Sequence, residues 1–164
     1  MSDKPITRER LLRVLENQAQ KTAKAIAGLD EATLNQPARE DGWTGKEILA
    51  HMASGYEGMR ALGLGQVPAG YEQSGFDLDP HNERNRQRAH DLPLAEVLTW
   101  LEAARQAIRT TIEQTDETEY GLLVHTPWMG DHPKGQFLMF PALHEGGHRQ
   151  ELEQWRANVE PAAQ

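Results

Sequence analysis

Residues 43–59, WTGKEILAHMASGYEGM, contain the pattern of a helix N-terminus followed by a single apolar face. Thr44 and Glu47 match a capping box, in which each side chain accepts a hydrogen bond from the other residue's backbone amide. At helical spacing His51 lies on the apolar face. The residues that share this face with it are Ile48, Met52, Tyr56 and Met59. The stretch therefore predicts an amphipathic helix that ends near residues 62–64 and turns one histidine toward the protein interior.

A second stretch, ALHEGGHRQELEQW at residues 142–155, carries two more histidines. His144 and His148 are four residues apart, so on a helix they stack on one side. Phe140 and Leu152 fall on the same side, which is therefore the apolar one. Two imidazoles at this spacing can direct a ring nitrogen at one metal ion, although a hydrogen-bonded buried pair has the same pattern. The stretch also fits H-E-x-x-H, the signature of a zinc-protease helix.

The zinc-protease interpretation needs a third ligand downstream of the motif. Its extended form has a histidine six residues after His148, where this chain has Gln154. Glu151 and Glu153 follow too closely on the same helix to serve. The sequence also shows no strand pattern for the sheet that such proteases carry. The motif is therefore better interpreted as H-x-x-x-H, one half of a different metal site.

Apolar spacing predicts three long helices besides the one that begins at Thr44. They cover residues 8–29, residues 94–115 and residues 135–159, and Pro141 is expected to kink the last one or to delay its start. Four long helices with no convincing strand predict an all-α protein, a four-helix bundle with a long crossover connection between the second and third helices. A chain of 164 residues is expected to form one such domain over its whole length.

The connections between these helices differ in character. Residues 63–78 form a long glycine-containing segment, and since long loops often carry function, it is a candidate lid. Asp79 and Pro80 have the pattern of an N-cap followed by proline at the first helical position, which predicts a short polar helix over residues 81–90. Residues 116–134 contain two glycines and two prolines and are expected to form a loop or short irregular elements.

His51 supports a metal site that extends beyond the histidine pair. In a bundle, facing helices build sites from inward-directed side chains, so His51 can meet His144 and His148. Three buried imidazoles would each need polar partners, whereas one divalent ion satisfies all three. Zinc is the expected ion, and nickel and iron also suit imidazole ligands. Glycines beside the histidines, at positions 55, 146 and 147, are consistent either with room for a ligand or with close helix packing.

Composition restricts the classes of partner and compartment. The formal net charge is -8, and an acidic surface repels phosphate backbones, so nucleic acid is not an expected partner. The chain has no cysteine, which excludes disulfides and thiolate ligands and agrees with a cytoplasmic location. No run of apolar residues is long enough for a signal peptide or a membrane span, so no membrane partner is expected.

Together the two stretches WTGKEILAHMASGYEGM and HEGGHRQELEQW resemble the DinB/YfiT-like superfamily of metal-binding four-helix bundles. This group includes the mycothiol-dependent maleylpyruvate isomerases. The resemblance implies that His51 in the second helix and His144 with His148 in the fourth are the metal ligands, although some members have a carboxylate in place of His144. Residues 77–88 also resemble a segment of the maleylpyruvate-isomerase-like branch, but His81 precedes Asn82 where that branch usually has an aromatic residue.

The resemblance implies an activity class rather than a reaction. Characterised members of the superfamily include thiol-dependent isomerases, thiol S-transferases and small-molecule hydrolases. It therefore implies a small-molecule substrate, which can be a low-molecular-weight thiol. It also implies a homodimer, since dimers are common among relatives.

Two functional hypotheses follow. The first is a metal-dependent hydrolase or thiol transferase of the detoxification type, because three histidines leave a coordination position open for chemistry. Glu145 is its nearest candidate general base, although this residue lies about 100° around the helix from His144 and can instead face solvent or a supporting partner. Other candidate groups near the site are Glu57 and the loop residues His125, Trp128 and His132. The second hypothesis is a stress protein that binds metal or ligand without catalysis.

Overall fold

The computed structural model of the chain describes residues 5–67, 78–126 and 130–159. Four long helices dominate these residues: α1 (Arg8–Ile26), α3 (Gly45–Gly63), α5 (Leu94–Gln114) and α6 (Lys134–Val159). A single-turn helix α2 (Glu31–Leu34) follows α1, and helix α4 (Leu78–Asp91) lies in the crossover between α3 and α5. The predicted four-helix bundle with its long crossover is confirmed.

Helices α1 and α3 each pack against both α5 and α6, so the four long helices enclose one core. Helix α3 is the most deeply buried, because α4 packs against it as well. The apolar residues that the periodicity predicted for the interior are buried there, among them Leu11, Leu15, Ile48, Met52, Tyr56, Leu101, Ile108 and Leu152. Burial of these side chains supplies the main favourable term for folding.

Helix α3 begins as the sequence predicts. Thr44 Oγ1 accepts a hydrogen bond from the Glu47 amide at 3.2 Å, and Glu47 Oε2 accepts one from the Thr44 amide at 2.8 Å. Both halves of the capping box are therefore formed. The helix ends at Gly63, within the predicted range, and Gly65 then takes a left-handed φ of 72° that turns the chain away.

Other helix ends differ by a few residues from the prediction. Helix α1 stops at Ile26 rather than at residue 29, because the Ala27 amide bonds the Lys24 carbonyl and Gly28 adopts a φ of 80°. Helix α4 begins at Leu78, ahead of the expected N-cap Asp79. Helix α6 runs through Pro141 without interruption, so the expectation of a delayed start is wrong.

The segment before α6 contains strands that the sequence analysis did not predict. A 3-10 helix (Glu117–Gly121) leads into an antiparallel hairpin of β1 (Leu123–Thr126) and β2 (Gly130–Pro133). Each strand has four residues, and β2 reads GDHP, with no alternation of apolar and polar residues. Strands this short and this exposed carry no period-two signal, which is why sequence periodicity missed them.

The proposed lid at residues 63–78 is described only at its two ends, and residues 68–77 lie outside the described part of the chain. None of the helices described is both long enough and apolar enough to span a bilayer.

The capping box gives a test of the fold. Replacing Thr44 by alanine leaves the Glu47 amide without its acceptor and is expected to lower the free energy of unfolding by about 1 kcal/mol. Urea denaturation measures this difference. The exposed Thr99, in the middle of α5, provides the matched control, because Thr99→Ala removes the same hydroxyl without a cap. Equal stability of T44A and T99A would contradict a stabilising role for the cap.

Candidate metal centre

The structure brings the three predicted histidines together. His51 projects from α3, whereas His144 and His148 project from consecutive turns of α6. The Nε2 atoms of His51 and His144 are 3.1 Å apart, and those of His148 and His144 are also 3.1 Å apart. Within the described residues, this trio is the only group of three or more potential ligands whose donor atoms converge, all lying within 4.8 Å of one another.

The convergence suits one divalent ion. Two nitrogens that each lie 2.0–2.1 Å from a zinc ion are separated by about 3.0–3.4 Å, depending on the angle between them. The observed separations of 3.1 Å fall in that range. The ring centroids of the three imidazoles lie 4.5–4.8 Å apart and the rings are steeply inclined to one another, so none stacks flat on another. In this edge-to-face packing, the imidazole edges that carry the ring nitrogens come together near one point.

Glu151 fixes the orientation of one of these rings. Its Oε2 atom lies 3.0 Å from Nδ1 of His148, one turn along α6. A carboxylate only accepts at neutral pH, so Nδ1 of His148 carries a proton, and in the neutral form of the ring Nε2 is the nitrogen with a free lone pair. Carboxylates hold metal-ligating histidines in the same way in many proteins. Sequence analysis considered Glu151 only as a ligand and missed this supporting role.

The other two rings are neutral near pH 7. Burial lowers the pKa of His51 to about 3, and the adjacent rings of His144 and His148 contribute further. Burial likewise lowers the pKa of His144 to about 4, with His148 as the next cause. A neutral imidazole keeps one unprotonated nitrogen, which is the form that binds a metal. The environment therefore favours ligand-competent histidines.

The glycines near the histidines serve different purposes. A Cβ at Gly55 would lie 3.1 Å from Nδ1 of His144, so glycine there leaves room for the imidazole between α3 and α6. A Cβ at Gly146 would meet the Gln18 side chain of α1 at 3.0 Å, which is close helix packing. A Cβ at Gly147 would meet nothing within 4 Å. Only Gly55 thus bears on the histidine trio directly.

Glu145 lies at the centre of a buried polar network. Its carboxylate is 0% exposed and accepts hydrogen bonds from Thr22 at 2.5 Å and from Tyr56 at 2.6 Å. Arg105 binds both carboxylate oxygens, with its Nε atom 3.2 Å from Oε2 and its terminal nitrogen on Oε1. These partners come from α1, α3 and α5, so a single carboxylate of α6 joins all four long helices.

The network leaves Glu145 little capacity for acid–base chemistry. Burial opposes the charge on Arg105, but the hydrogen bonds and charge of Glu145 outweigh it and raise the pKa of the guanidinium. Burial, reinforced by Glu145, raises the pKa of the Tyr56 hydroxyl far above its ordinary value, so Tyr56 stays a neutral donor. The Glu145 side chain therefore faces neither solvent nor an open reaction space. Its predicted role as general base is untested, and the contacts favour a structural role.

The remaining candidates that the structure describes have hydrogen-bond partners outside the histidine trio. His125 is exposed on β1 and pairs with Asp131 at 2.8 Å, while His132 lies 3.3 Å from Gln136 Oε1. Glu57 accepts a hydrogen bond from the Trp100 indole at 2.8 Å. Trp128 is outside the described residues.

A polar cleft of about 280 Å³ adjoins His51. It is lined by Arg39, Asp41, Trp43, His51, Asn82, Glu83 and Arg86. Asn82 lines this cleft, and its buried Oδ1 atom has no hydrogen-bond partner among the described residues. Deeper along α4, His81 Nε2 lies 3.1 Å from Ser54 Oγ and 3.0 Å from Asn85 Nδ2. Sequence analysis identified neither arginine of the cleft.

Known proteins share this arrangement of helices. The family model described as the DinB superfamily matches residues 14–152 of the chain. No curated protein matches the chain significantly in sequence.

Three solved structures illustrate the likeness in fold. YfiT from Bacillus subtilis, described as a probable metal-dependent hydrolase with an unusual four-helix bundle topology, is 13% identical with a TM-score of 0.74, over 96% of this chain and 90% of that one. The colibactin self-resistance protein ClbS, solved with double-stranded DNA, is 15% identical with a TM-score of 0.76, over 93% and 96%. The mycothiol-dependent maleylpyruvate isomerase is 17% identical with a TM-score of 0.71, over 93% of this chain and 63% of that one.

The Glu145 network predicts a large effect on stability. Glu145→Gln leaves Arg105 buried beside a neutral amide and is expected to lower the free energy of unfolding by about 3–5 kcal/mol. The free energy of unfolding should be measured by urea denaturation of chelator-treated protein, so that metal binding does not contribute to it. The control is Glu9→Gln on α1, whose pair with Arg13 is exposed on both sides and is worth less than about 1 kcal/mol. Similar losses in the two variants would refute a special role for the buried carboxylate.

The lowered pKa values of His51 and His144 predict how the metal-free protein responds to acid. The unfolded chain takes up protons at these residues near pH 6.5, whereas the native state takes them up only near pH 3–4. Native stability therefore falls as the pH drops from about 6.5 toward 4, by up to about 1.4 kcal/mol per pH unit for each ring.

Replacing His51 by glutamine should reduce that slope by about one proton equivalent, as measured by urea denaturation between pH 4 and 7. His90→Gln, at an exposed position of α4, is the control. An unchanged slope in H51Q would show that His51 does not resist protonation in the native state.

Proposed function

Because the chain belongs to the DinB superfamily, we propose that it binds a divalent metal ion through His51, His144 and His148 and uses it as an enzyme acting on a small molecule. The observation that carries the proposal is the meeting of three Nε2 atoms, two of them on partly buried, neutral rings and the third on a ring whose Nδ1 faces Glu151. Zinc is the preferred ion, and nickel and iron are compatible with an all-imidazole site.

The proposed reaction is hydrolysis or the transfer of a low-molecular-weight thiol, of the detoxification or stress type. A divalent ion bound to three imidazoles would lower the pKa of a water or of an incoming thiol toward neutrality, and so supply a nucleophile. The protein has no cysteine of its own for that purpose. Glu151 holds the His148 ring, Gly55 leaves space for His144, and the cleft beside His51 gives a small molecule access.

The chemistry attributed to two structural relatives supports this proposal at the level of class. YfiT is described as a probable metal-dependent hydrolase, and the maleylpyruvate isomerase depends on a small thiol, mycothiol. Both share the bundle fold at low sequence identity, so they do not identify the substrate of this chain. ClbS was solved with DNA, which leaves the expected absence of a nucleic-acid partner as a prediction based on charge.

A second candidate function is a stress protein that holds metal or a ligand without turnover. One observation favours it: Glu145, the carboxylate nearest the histidines in sequence, is fully engaged by Thr22, Tyr56 and Arg105. An enzyme of this design must therefore take its acid–base chemistry from the ion, the substrate or the cleft.

The proposal extends to the assembly and location of the protein. We expect one domain over residues 1–164, in the cytoplasm, and a homodimer, which light scattering would test. Phe140 and Leu143 are large apolar side chains exposed on α6, as a subunit contact would require. A monomer at micromolar concentration would contradict the dimer alone and leave the metal site unaffected.

Metal analysis tests the shared premise of both functions. Protein purified without a histidine tag and supplemented with zinc is expected to retain one ion per chain by mass spectrometry. Because a full ligand set contributes about 10–16 kcal/mol, loss of one of three ligands in His51→Ala should weaken affinity by a factor of at least roughly 100. The control variant His125→Ala removes an exposed histidine outside the trio. Wild-type protein that retains no divalent ion would overturn both functions.

Turnover separates the two functions. The metal-loaded protein should be assayed with a panel of thiols combined with electrophiles, and with small hydrolysable substrates. Turnover that disappears in His148→Ala supports the enzyme. Tight metal or ligand binding without turnover across the panel favours the binding protein.

A further inference from the structure

The cleft beside His51 has features that go beyond access to the metal site. Trp43 contacts both the histidine and two guanidinium groups. Its ring centroid is 5.5 Å from that of His51, 5.3 Å from the guanidinium carbon of Arg39 and 5.2 Å from that of Arg86. Both guanidinium groups therefore contact the same aromatic ring that contacts a proposed metal ligand.

The two arginines lie deeper in the cleft than the acids that pair with them. The side chains of Arg39 and Arg86 are 36% and 28% exposed, whereas those of Asp41 and Glu83 are 51% and 65% exposed. The acids therefore stand at the rim. The guanidinium groups form part of the wall, where an incoming molecule would meet them.

Each guanidinium retains hydrogen-bonding capacity for a ligand. A guanidinium has five N–H donors. Arg39 donates to Asp41 at 2.9 Å, and Arg86 donates to Glu83 at 3.3 Å. The further ion pairs, Arg39 with Glu151 at 4.0 Å and Arg86 with Glu47 at 3.5 Å, are long. Most donors of both side chains are thus available without breaking a short contact among the described residues.

The charge balance of the cleft depends on the histidine trio. Two arginines and two acids leave the lining formally neutral. Glu151 and Glu47, which pair with Arg39 and Arg86 from beyond the lining, add two negative charges, and a divalent ion held by the histidines would offset them. The metal-loaded cleft would then no longer repel an anion, and the planar guanidiniums would favour a carboxylate that can accept two parallel hydrogen bonds.

We infer that this cleft recognises the carboxylate of the small-molecule substrate, with Arg39 and Arg86 as the residues that select it. The inference rests on the proposed function, because it assigns one end of the substrate to the ion and the other to the arginines. The substrate class is a small carboxylic acid whose reactive group lies a few atoms from the carboxylate. A cleft of about 280 Å³ has room for a molecule of that size.

A thiol series tests this inference on the full chain loaded with cobalt(II), whose absorption reports both the metal and a bound thiolate. The probes are mercaptoacetate, 3-mercaptopropionate and 4-mercaptobutyrate, each compared with the mercapto-alcohol of equal length. Three chain lengths are used so that one of them can match the distance between the ion and the arginines. At least one acid should bind about tenfold more tightly than its alcohol. That advantage should shrink severalfold in Arg39→Gln and in Arg86→Gln, while the alcohols bind as before.

Two further variants serve as controls for this test. Arg88→Gln is the matched control, because Arg88 lies on the same helix but stacks on Trp100 at 3.8 Å, away from the cleft. Arg86→Lys keeps the charge and the size while losing the paired donors, so it should retain only part of the advantage.

Acids that bind no better than their alcohols, or an advantage that survives both arginine substitutions, would overturn the inference and leave the proposed metal function intact. A chain that takes up no cobalt would overturn the proposed function itself, and this inference with it.

Discussion

The buried carboxylate of Glu145 is the interaction on which the rest of the structure depends. A charge with 0% exposure is tolerated only when it is paired and fully hydrogen-bonded, and here the partners come from each of the other three long helices. Glu145 directly follows His144 and precedes His148 by three residues. Fixing its side chain therefore fixes the rotation of α6 about its own axis, and this rotation decides where both histidines point.

The histidine trio combines that fixed helix with support from its surroundings. Glu151 orients the His148 ring, the absence of a side chain at Gly55 admits the His144 ring, and burial keeps His51 and His144 neutral. The bundle interior thus supplies two adjacent but different polar sites. One is the buried ion pair of Glu145 and Arg105, whose hydrogen bonds are satisfied and which stabilises the fold. The other is the histidine trio, whose ring nitrogens lie beside an open cleft.

Much of the fold and the meeting of the three histidines could be predicted from the sequence, because both depend on helical periodicity. His51, His144 and His148 each lie on an apolar helix face, and the capping box marks the start of α3. The network around Glu145 was less visible, since its contacts join residues as far apart as Thr22 and Glu145. One signal was present: Arg105 lies four residues after Leu101 and three before Ile108, on the buried stripe of α5, where a basic residue requires an acidic partner.

Two other parts of the structure could not be predicted from the periodicity of the sequence. The hairpin of β1 and β2 is too short to show alternation, and β2 contains no aliphatic or aromatic apolar residue. The cleft draws Arg39 from the loop before α3 and Arg86 from α4, and only the packing of α4 against α3 brings them to Trp43. Which helix faces meet depends on tertiary packing, which the pattern of one helix does not encode.

The most direct test of the account is X-ray absorption spectroscopy at the zinc edge of the zinc-loaded protein. The account requires nitrogen or oxygen neighbours at about 2.0–2.1 Å together with outer-shell scattering from three imidazoles. That imidazole contribution should fall to two in His51→Ala. A spectrum that fits two imidazoles or fewer in the wild-type protein, or one that does not change in His51→Ala, would contradict the assignment of His51, His144 and His148 to a single ion.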